Sequence, residues 1–364
     1  MKILVLTNFD VGLYKFRKEL LKAFIDRGHE VVTCFPEGDL VKKIKALGCK
    51  YIPTPELSRR GMNPLKDIAL YNTYKRIIKT EQPDFVITYT IKPNIYGGMA
   101  ARALGVPYAL NITGLGTAFQ NRGPVRTLVK GLYMRSTKKA KKVFFENVEN
   151  AAVMEDNNLV RKDQIVINRG AGVNTAEYEF KEYPIDVGKT RFLFMGRVMK
   201  EKGVDELFWA AEQLRKKYGD EVEVNIVGPY EEDYSDTVIS LAKQKVIVFY
   251  GFQPDVKPFI TACLCFVLPS YHEGMANTLL ESGSMGRPII TSNIHGCKEA
   301  VSDGLSGFLA EPQNKEDLLE KMETFHLLPY EDKVAMAKAS ANLVRRRFEK
   351  EKVIEKTIKA LEID

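Results

Sequence analysis

Hydrophobic and polar residues alternate in two kinds of segment along the first half of the chain. Short β-branched runs such as KILVLTN, EVVTCFP and DFVITYT predict strands, and longer amphipathic stretches such as LYKFRKELLKAFIDRG predict helices. The strands are apolar at nearly every position, which is typical of a parallel sheet covered by helices on both faces. The first half is therefore predicted to be an open, Rossmann-like α/β sheet.

The alternation pauses at a polar, proline-containing stretch and then restarts. The runs RFLFMGR, VEVNIVG and LCFVLPS predict the strands of a second Rossmann-like sheet, and the sequence is helical from Lys315 onward. We predict an N-terminal domain over 1–168, a linker over 169–189, a C-terminal domain over 190–342 and a C-terminal helix over 343–364 that can cross back to the N-terminal domain.

Two such sheets in tandem should face a central cleft at the carboxyl ends of their strands, where open α/β sheets bind ligands. The segment SYHEGMANTLLE follows one strand, with Glu273 in its loop and Glu281 about two turns into a helix predicted over 275–285. The amides after Gly274 and the positive end of the helix dipole suit an anion such as a diphosphate. The first acid can then meet a sugar and the second can meet hydroxyl groups. The alternative is that both are ordinary loop and surface carboxylates.

Two further loops follow predicted strands. GRVMKEKG places Gly196, Arg197 and Lys202 in a turn suited to phosphates, although a solvated basic turn is the alternative. After the first strand, Gly12 would let the backbone approach a ligand and Asp10 would touch a hydroxyl group. The dinucleotide fingerprint G-x-G-x-x-G is absent, which counts against a nicotinamide enzyme.

The net charge of +7 hides an asymmetry between the two halves. Residues 1–168 carry 28 Lys and Arg against 15 Asp and Glu, whereas the remainder carries 26 against 32. The segment 121–142 holds eight basic residues and no acid, with apolar residues at helical spacing, which suits an anionic bilayer surface. A core helix with a solvated basic face is the alternative. A nucleic-acid-binding protein is disfavoured because no stacking-aromatic or recognition-helix motif accompanies the charge.

Cysteine, histidine and acidic residues show no metal-binding pattern. The five cysteines are scattered and are predicted to be reduced core thiols of a cytosolic protein. No D-x-D triplet occurs and the four histidines do not cluster, so we predict no metal site and no cofactor. The run MKILVLTN is too short for a signal peptide, and no stretch is long and apolar enough to span a bilayer.

With these motifs, the chain resembles the B-type, two-Rossmann-domain glycosyltransferases of retaining glycosyltransferase family 4. The likeness rests on the two glutamates of SYHEGMANTLLE, on Gly196-Arg197 with Lys202-Gly203, on VGP at 227–229 and on GCKE at 296–299. A narrower likeness to bacterial enzymes of capsular polysaccharide and lipid-linked oligosaccharide assembly rests on TYTIKPNIYG and NITGLGTAF.

The resemblance implies a role for each matching residue. Arg197 and Lys202 would bind the nucleotide diphosphate, and Glu273 would face the donor sugar. These three residues form the expected catalytic set. Glu281 would hold the ribose hydroxyls. The expected donor-binding set is Gly12, Gly196, Arg197, Lys202, Gly274, Met275, Ala276, Asn277 and Glu281. The family histidine after the strand PYALNIT is replaced here by Asn111 and Thr113. The acceptor-side candidates are Asp10, Arg59, Arg60, Lys92, Asn111 and Thr113.

The resemblance thus implies a metal-independent, retaining hexosyltransferase. It would move galactose, N-acetylgalactosamine or a related hexose from a UDP-sugar, which is a substrate and not a cofactor. The expected acceptor is a polyprenyl-diphosphate-linked saccharide on the basic N-terminal domain, with no nucleic-acid partner. The enzyme would be cytoplasmic and peripheral on the inner face of the plasma membrane. The nearest alternative is a nucleotide-sugar epimerase on the same double fold.

Overall fold

The structure is a computed structural model that describes residues 1–55, 63–115, 123–185 and 188–363. The acceptor-side candidates Arg59 and Arg60 lie outside the described residues. By its internal contacts the chain divides into two units, one of Met1–Ala171 with Glu351–Asp364 and the other of Gly172–Lys350. Each unit has its own sheet and its own apolar core.

The first unit is built on a sheet with the strand order β3-β2-β1-β4-β5-β6-β7. Its strands are β1 (Lys2–Leu6), β2 (Glu30–Phe35), β3 (Lys50–Pro53), β4 (Phe85–Tyr89), β5 (Tyr108–Ile112), β6 (Lys142–Phe145) and β7 (Ile165–Ile167). Its helices are α1 (Asp10–Asp26), α2 (Val41–Ala46), α3 (Pro64–Glu81), α4 (Gly98–Leu104), α5 (Pro124–Thr137) and α6 (Val148–Asp156), with a π-helical turn over Pro93–Gly97.

Helices cover both faces of this first sheet, which explains why its strands are apolar throughout. Leu4 and Leu6 belong to the apolar cluster on one face, and Ile3 and Val5 belong to the cluster on the other face. The last helix of the chain contributes Ile358 to the second of these clusters. The C-terminal segment is therefore part of the first unit's core.

The second unit repeats the architecture with the strand order β10-β9-β8-β11-β12-β13. Its strands are β8 (Thr190–Met195), β9 (Val222–Val227), β10 (Ile247–Phe249), β11 (Cys265–Leu268), β12 (Ile289–Ser292) and β13 (Gly307–Ala310). The remaining helices are α7 (Val204–Tyr218), α8 (Ser235–Lys243), α9 (Lys257–Ala262), α10 (Asn277–Ser284), α11 (Lys315–Leu327), α12 (Tyr330–Phe348) and α13 (Lys350–Leu361), of which α13 packs on the first unit.

Both sheets have a topological switch point. The strand order reverses between β1 and β4 in the first sheet and between β8 and β11 in the second, and these neighbours pair in parallel. Ligands of open α/β sheets bind at such points, outside the carboxyl ends of the strands. The prediction of two Rossmann-like sheets is confirmed, and the topology singles out the loops after β1, β4, β8 and β11.

All five cysteine thiols are free and buried, so the native protein should resist thiol reagents. Burial raises the pKa of Cys49 to about 11 and that of Cys263 to about 12, because a thiolate loses its hydration there. Only the thiolate is nucleophilic. We therefore expect less than one equivalent of a disulfide reagent to react with native protein near pH 8, and five equivalents to react in denaturant. Fast reaction of the native protein would contradict this prediction.

Candidate functional site

The loops after β8 and β11 meet at the switch point of the second sheet. Lys202 Nζ lies 2.5 Å from Glu273 Oε1, and the Ser270 hydroxyl donates to the same oxygen at 2.9 Å. The Lys202 and Glu273 side chains are 19% and 12% exposed, so water screens their interaction only in part. The structure thus joins the predicted phosphate loop to the first predicted glutamate.

Glycines let these loops approach one another closely. A Cβ atom at Gly203, where φ is +70°, would lie 2.1 Å from the Pro269 carbonyl oxygen. A Cβ atom at Gly228, where φ is +146°, would lie 1.8 Å from the Gly196 carbonyl oxygen. Only glycine fits such gaps without movement of the backbone. The loop that carries Arg197 is therefore fixed by backbone contacts on two sides.

The loop after β12 supports the glutamate loop in the same way. A Cβ atom at Gly296 would lie 2.7 Å from the carbonyl oxygens of both Glu273 and Gly274. The Ala276 amide donates to the Gly296 carbonyl at 2.9 Å, and the Gly296 amide donates to Glu299 at 2.8 Å. The resemblance implies that the backbone at Ala276 contacts the donor. In the structure this amide joins two loops instead, which corrects that expectation.

Tyr271 braces the glutamate loop against α7. Its amide donates to the Glu201 carbonyl at 2.9 Å, and its hydroxyl donates to the Glu206 carboxylate oxygens at 2.7 and 2.8 Å. Burial and the Glu206 charge raise the pKa of Tyr271, so the hydroxyl keeps its proton at neutral pH. Nothing in the local sequence indicates this brace, because its two residues are 65 positions apart.

Arg197 stands at the rim of the site. Its side chain is 44% exposed, and its Nη1 lies 3.2 Å from the Glu231 carboxylate. An exposed ion pair of this kind contributes little to stability, so a phosphate can take over the guanidinium at small cost. The planar donor fork of arginine suits bidentate contact with a diphosphate. Its contact with the diphosphate stays a prediction.

Helix α10 begins at Asn277, two residues later than predicted. The first amides of a helix have no intrahelical partner, and the helix dipole makes this end positive. Asn277 Oδ1 is buried and has no hydrogen-bond partner within the described part of the chain. The helix start therefore offers amides to an anion, together with an oxygen that a ligand hydroxyl can satisfy. Met275 is buried in the core, so only its backbone can contribute.

Glu281 lies about one turn into α10 and is half-buried. The Tyr178 hydroxyl hydrogen-bonds to Glu281, and burial together with the Glu281 charge raises the pKa of Tyr178. A carboxylate has more acceptor positions than one hydroxyl fills, and the contact of Glu281 with ribose hydroxyls stays a prediction. Tyr178 is a site residue that the sequence does not indicate, because it stands in the segment predicted to be a linker.

Asp10 and Gly12 do not form the predicted open loop. Helix α1 begins at Asp10, whose buried carboxylate accepts from the Val11 amide at 2.7 Å and from the Leu40 amide at 2.8 Å. Gly12 lies in the first turn of this helix, where a Cβ atom would lie 2.5 Å from the Phe9 ring. The prediction of a glycine loop at Gly12 is therefore wrong. Asp10 joins the loops after β1 and β2 through these two amides, and its contact with ligand hydroxyls stays a prediction.

The other acceptor-side candidates lie along the carboxyl edge of the first sheet. Lys92 Nζ lies 2.9 Å from the buried Asp67 carboxylate, which leaves the lysine side chain 19% exposed. The Asn111 side chain is buried and donates to the Thr88 carbonyl at 3.2 Å. Thr113 follows β5 directly and is half-buried. Lys92 and Thr113 thus remain accessible at this edge, whereas Asn111 is tied into it.

The same edge carries an arginine that the sequence does not single out. Arg17 Nη2 donates to Glu146 at 3.0 Å, and its guanidinium carbon lies 5.1 Å from the centroid of the Tyr89 ring. Tyr89 ends β4 and Glu146 follows β6, so α1 is tied to the strand ends by this cation.

Two family descriptions match the chain and together cover most of it. Residues 176–343 match the glycosyl transferases group 1, and residues 2–147 match the glycosyl transferase 4-like family. The first match contains the Lys202–Glu273 pair, Arg197 and α10. The second contains the strands from β1 to β6 of the first unit.

Named relatives are similar over most of their length. The N,N'-diacetylbacillosaminyl-diphospho-undecaprenol alpha-1,3-N-acetylgalactosaminyltransferase of Campylobacter jejuni is 29% identical, with 88% of each chain covered. The UDP-Gal:alpha-D-GlcNAc-diphosphoundecaprenol alpha-1,3-galactosyltransferase of Escherichia coli is 28% identical, with 84% of this chain and 81% of that protein covered.

The solved structures that are similar support the fold. The structure of Anabaena Alr3699/HepE in complex with UDP and glucose aligns with a TM-score of 0.81 at 16% identity and covers 100% of both chains. The structure of TarM aligns with a TM-score of 0.75 at 11% identity and covers 99% of this chain and 98% of that one. Two Rossmann-like units of this kind make up the GT-B fold.

Proposed function

Because this chain is a GT-B glycosyltransferase that belongs to the group 1 and 4-like families, we propose that it transfers a hexose from a UDP-sugar to a lipid-linked saccharide. The hexose is galactose, N-acetylgalactosamine or a close relative, and the acceptor is linked through a polyprenyl diphosphate. The printed names of two relatives support this acceptor class, since both proteins act on diphosphoundecaprenol-linked saccharides. We propose that the reaction retains the anomeric configuration and needs no metal.

The Lys202–Glu273 pair at the switch point of the second sheet carries this proposal. When the bond between the anomeric carbon and the diphosphate breaks, the electron pair leaves with the β-phosphate oxygen of UDP. The acceptor hydroxyl oxygen bonds to the same carbon, and its proton passes to the departing phosphate oxygen or to water. In this proposal Lys202, Arg197 and the first amides of α10 neutralise the charge that develops on the diphosphate, which the ion pair of Lys202 and the exposed guanidinium of Arg197 support. The positive charge is supplied by the protein itself, which is the basis for proposing metal independence.

A transfer assay tests the proposal directly. The purified protein is incubated with a panel of UDP-sugars and N-acetylglucosaminyl diphosphoundecaprenol, with and without EDTA. We expect acceptor-dependent release of UDP and a lipid product one hexose heavier, at the same rate with EDTA. Appearance of an epimerised UDP-sugar without acceptor would instead indicate the epimerase alternative, and inhibition by EDTA would contradict metal independence.

Helix α5 suits a membrane-bound acceptor. Its Val129 is buried and Leu132 packs on the same core, whereas Val125 and Leu128 are 51% and 49% exposed within a strongly basic segment. The apolar stripe predicted from the sequence is thus partly core and partly surface. No helix within 1–55, 63–115, 123–185 or 188–363 is both long and apolar enough to cross a bilayer. We place the enzyme peripherally on the inner face of the plasma membrane, with α5 against anionic lipid.

Flotation with liposomes checks this placement. The protein should float with anionic liposomes at low salt and be released at high salt, because the attraction to lipid headgroups is screened. Replacing Val125 and Leu128 together by serine should weaken partitioning roughly tenfold, since buried apolar area is lost. The matched control is Val148→Ser, which changes a side chain of the same unit that is 51% exposed. Failure to float at either salt concentration would rule out the placement.

A further inference from the structure

The switch point of the first sheet holds two polar side chains without a role in the donor site. Strands β1 and β4 pair with Leu6 opposite Thr88, so Asn8 and Thr90 each stand two residues beyond the same paired position. Asn8 Oδ1 and Thr90 Oγ1 are buried, and neither oxygen has a hydrogen-bond partner among the residues that the structure describes. Two unsatisfied oxygens therefore flank the place where open α/β sheets bind ligands.

Thr90 is also held in an unfavourable backbone conformation. Its φ is +72°, a region that β-branched residues rarely adopt. The Thr90 carbonyl accepts from the Asn94 amide at 2.9 Å, and the buried Asn94 side chain is hydrogen-bonded to the Thr88 hydroxyl at 2.6 Å and the Asn111 carbonyl at 2.8 Å. Strain of this kind persists where neighbouring contacts enforce it, and it is concentrated at functional sites. The buried Asn94 network therefore fixes Thr90 in place.

The chemistry of the two oxygens selects the class of ligand. A phosphate offers mainly acceptor oxygens, which an amide oxygen cannot satisfy, whereas a sugar hydroxyl both donates and accepts. Either orientation of the Asn8 amide group finds a partner in a hydroxyl. Both side chains are half-buried, so a rotation about χ1 can turn either oxygen toward the crevice. A sugar hydroxyl therefore suits each of these oxygens better than an anion does.

We propose that Asn8 and Thr90 form the subsite for the terminal sugar ring of the acceptor. This inference rests on the proposed transfer to a lipid-linked saccharide. Gly12 lies in the first turn of α1 in the first unit, whereas the predicted nucleotide-binding residues Arg197, Lys202 and Glu281 lie in the second unit, so we assign the first unit's crevice to the acceptor. Lys92, two residues after Thr90, adds a partly exposed cation at the same edge.

Matched variants test the subsite in the full-length enzyme. With N-acetylglucosaminyl diphosphoundecaprenol as the probe, Thr90→Val and Asn8→Leu should each raise the acceptor KM about three- to tenfold, the range for one lost neutral hydrogen bond. Thr90→Ser keeps the hydroxyl and should recover most of the affinity. The control is Thr73→Val, which changes a half-buried threonine of α3. The KM for the UDP-sugar should stay constant, and a rise in that KM instead of the acceptor KM would overturn the assignment to the acceptor.

Thr90→Gly separates strain from binding. Glycine accepts a positive φ, so this variant should melt about 2–4 °C higher while its acceptor KM rises as in Thr90→Val. A higher melting temperature with an unchanged KM would show a purely structural strain and overturn the subsite. If the wild type transfers nothing to the probe, the proposed function fails for acceptors that end in N-acetylglucosamine. The subsite is then tested by thermal shift with N-acetylglucosamine 1-phosphate. A higher melting temperature of the wild type, but not of Thr90→Val, would support the subsite. Any other result would overturn it.

Discussion

Lys202→Ala should lower kcat/KM for sugar transfer by about 100- to 1000-fold, the usual cost of removing one fixed donor to a developing oxyanion. The variant removes the cation that the structure holds 2.5 Å from Glu273 at the switch point of the second sheet. It also leaves the largely buried Glu273 carboxylate without this cation, so negative charge would face the leaving diphosphate. Initial rates at varied UDP-sugar and saturating acceptor measure the loss of kcat/KM. Calorimetry with UDP measures how far the unpaired Glu273 charge weakens diphosphate binding.

Lys200→Ala is the matched control for this prediction. Lys200 belongs to the same loop, but its side chain is exposed, and the loop is held there by its backbone amide, which donates to Glu232 at 2.8 Å. The control should stay within about threefold of the wild type, as expected for an exposed charge. Equal losses in both variants would mean that general positive charge, and not the placement of Lys202, matters.

The hydrophobic pattern predicts the two sheets because apolar strands and amphipathic helices are local properties of the sequence. It also predicts that Lys202 and Glu273 come to the same sheet edge, since each follows a strand of one parallel sheet. The ion pair between them is not predictable, because it depends on how closely the two loops approach. That approach is set by the contact of Gly203 with Pro269, 66 positions further along the chain.

The wrong prediction of an open glycine loop in the first unit also results from a contact between distant parts of the sequence. A glycine two residues after an aspartate suggests an open loop, but Asp10 accepts from the Leu40 amide and lets α1 begin at once. The contact spans 30 positions, so no local pattern shows it. Tyr178 is likewise not predictable as a site residue, because it lies in a polar segment predicted to be a linker. Its hydroxyl hydrogen-bonds to Glu281 in the second unit. Long-range side-chain contacts decide these details, and the alternation of residues carries no information about them.

Gly228→Ala should produce the largest loss of stability among single substitutions at the site. A Cβ atom there would lie 1.8 Å from the Gly196 carbonyl oxygen, and φ is +146°, a conformation almost confined to glycine. The loops after β8 and β9 must separate, so we expect the free energy of unfolding to fall by about 4 kcal/mol. Urea unfolding followed by the fluorescence of Trp209, the one tryptophan of the chain, reports on this unit.

Gly251→Ala isolates the steric part of this effect. Gly251 also has a positive φ, +65°, and its carbonyl accepts the Gly228 amide at 2.8 Å. Apart from its two chain neighbours, no atom of the described residues lies within 4 Å of a Cβ placed there. Alanine should therefore cost only about 1 kcal/mol at this position, through backbone strain alone. Because the Gly196 contact also sets the position of Arg197, Gly228→Ala should weaken UDP binding more than tenfold, whereas Gly251→Ala should not. Equal losses of stability in the two variants would show that the loop contact is not what holds the phosphate loop.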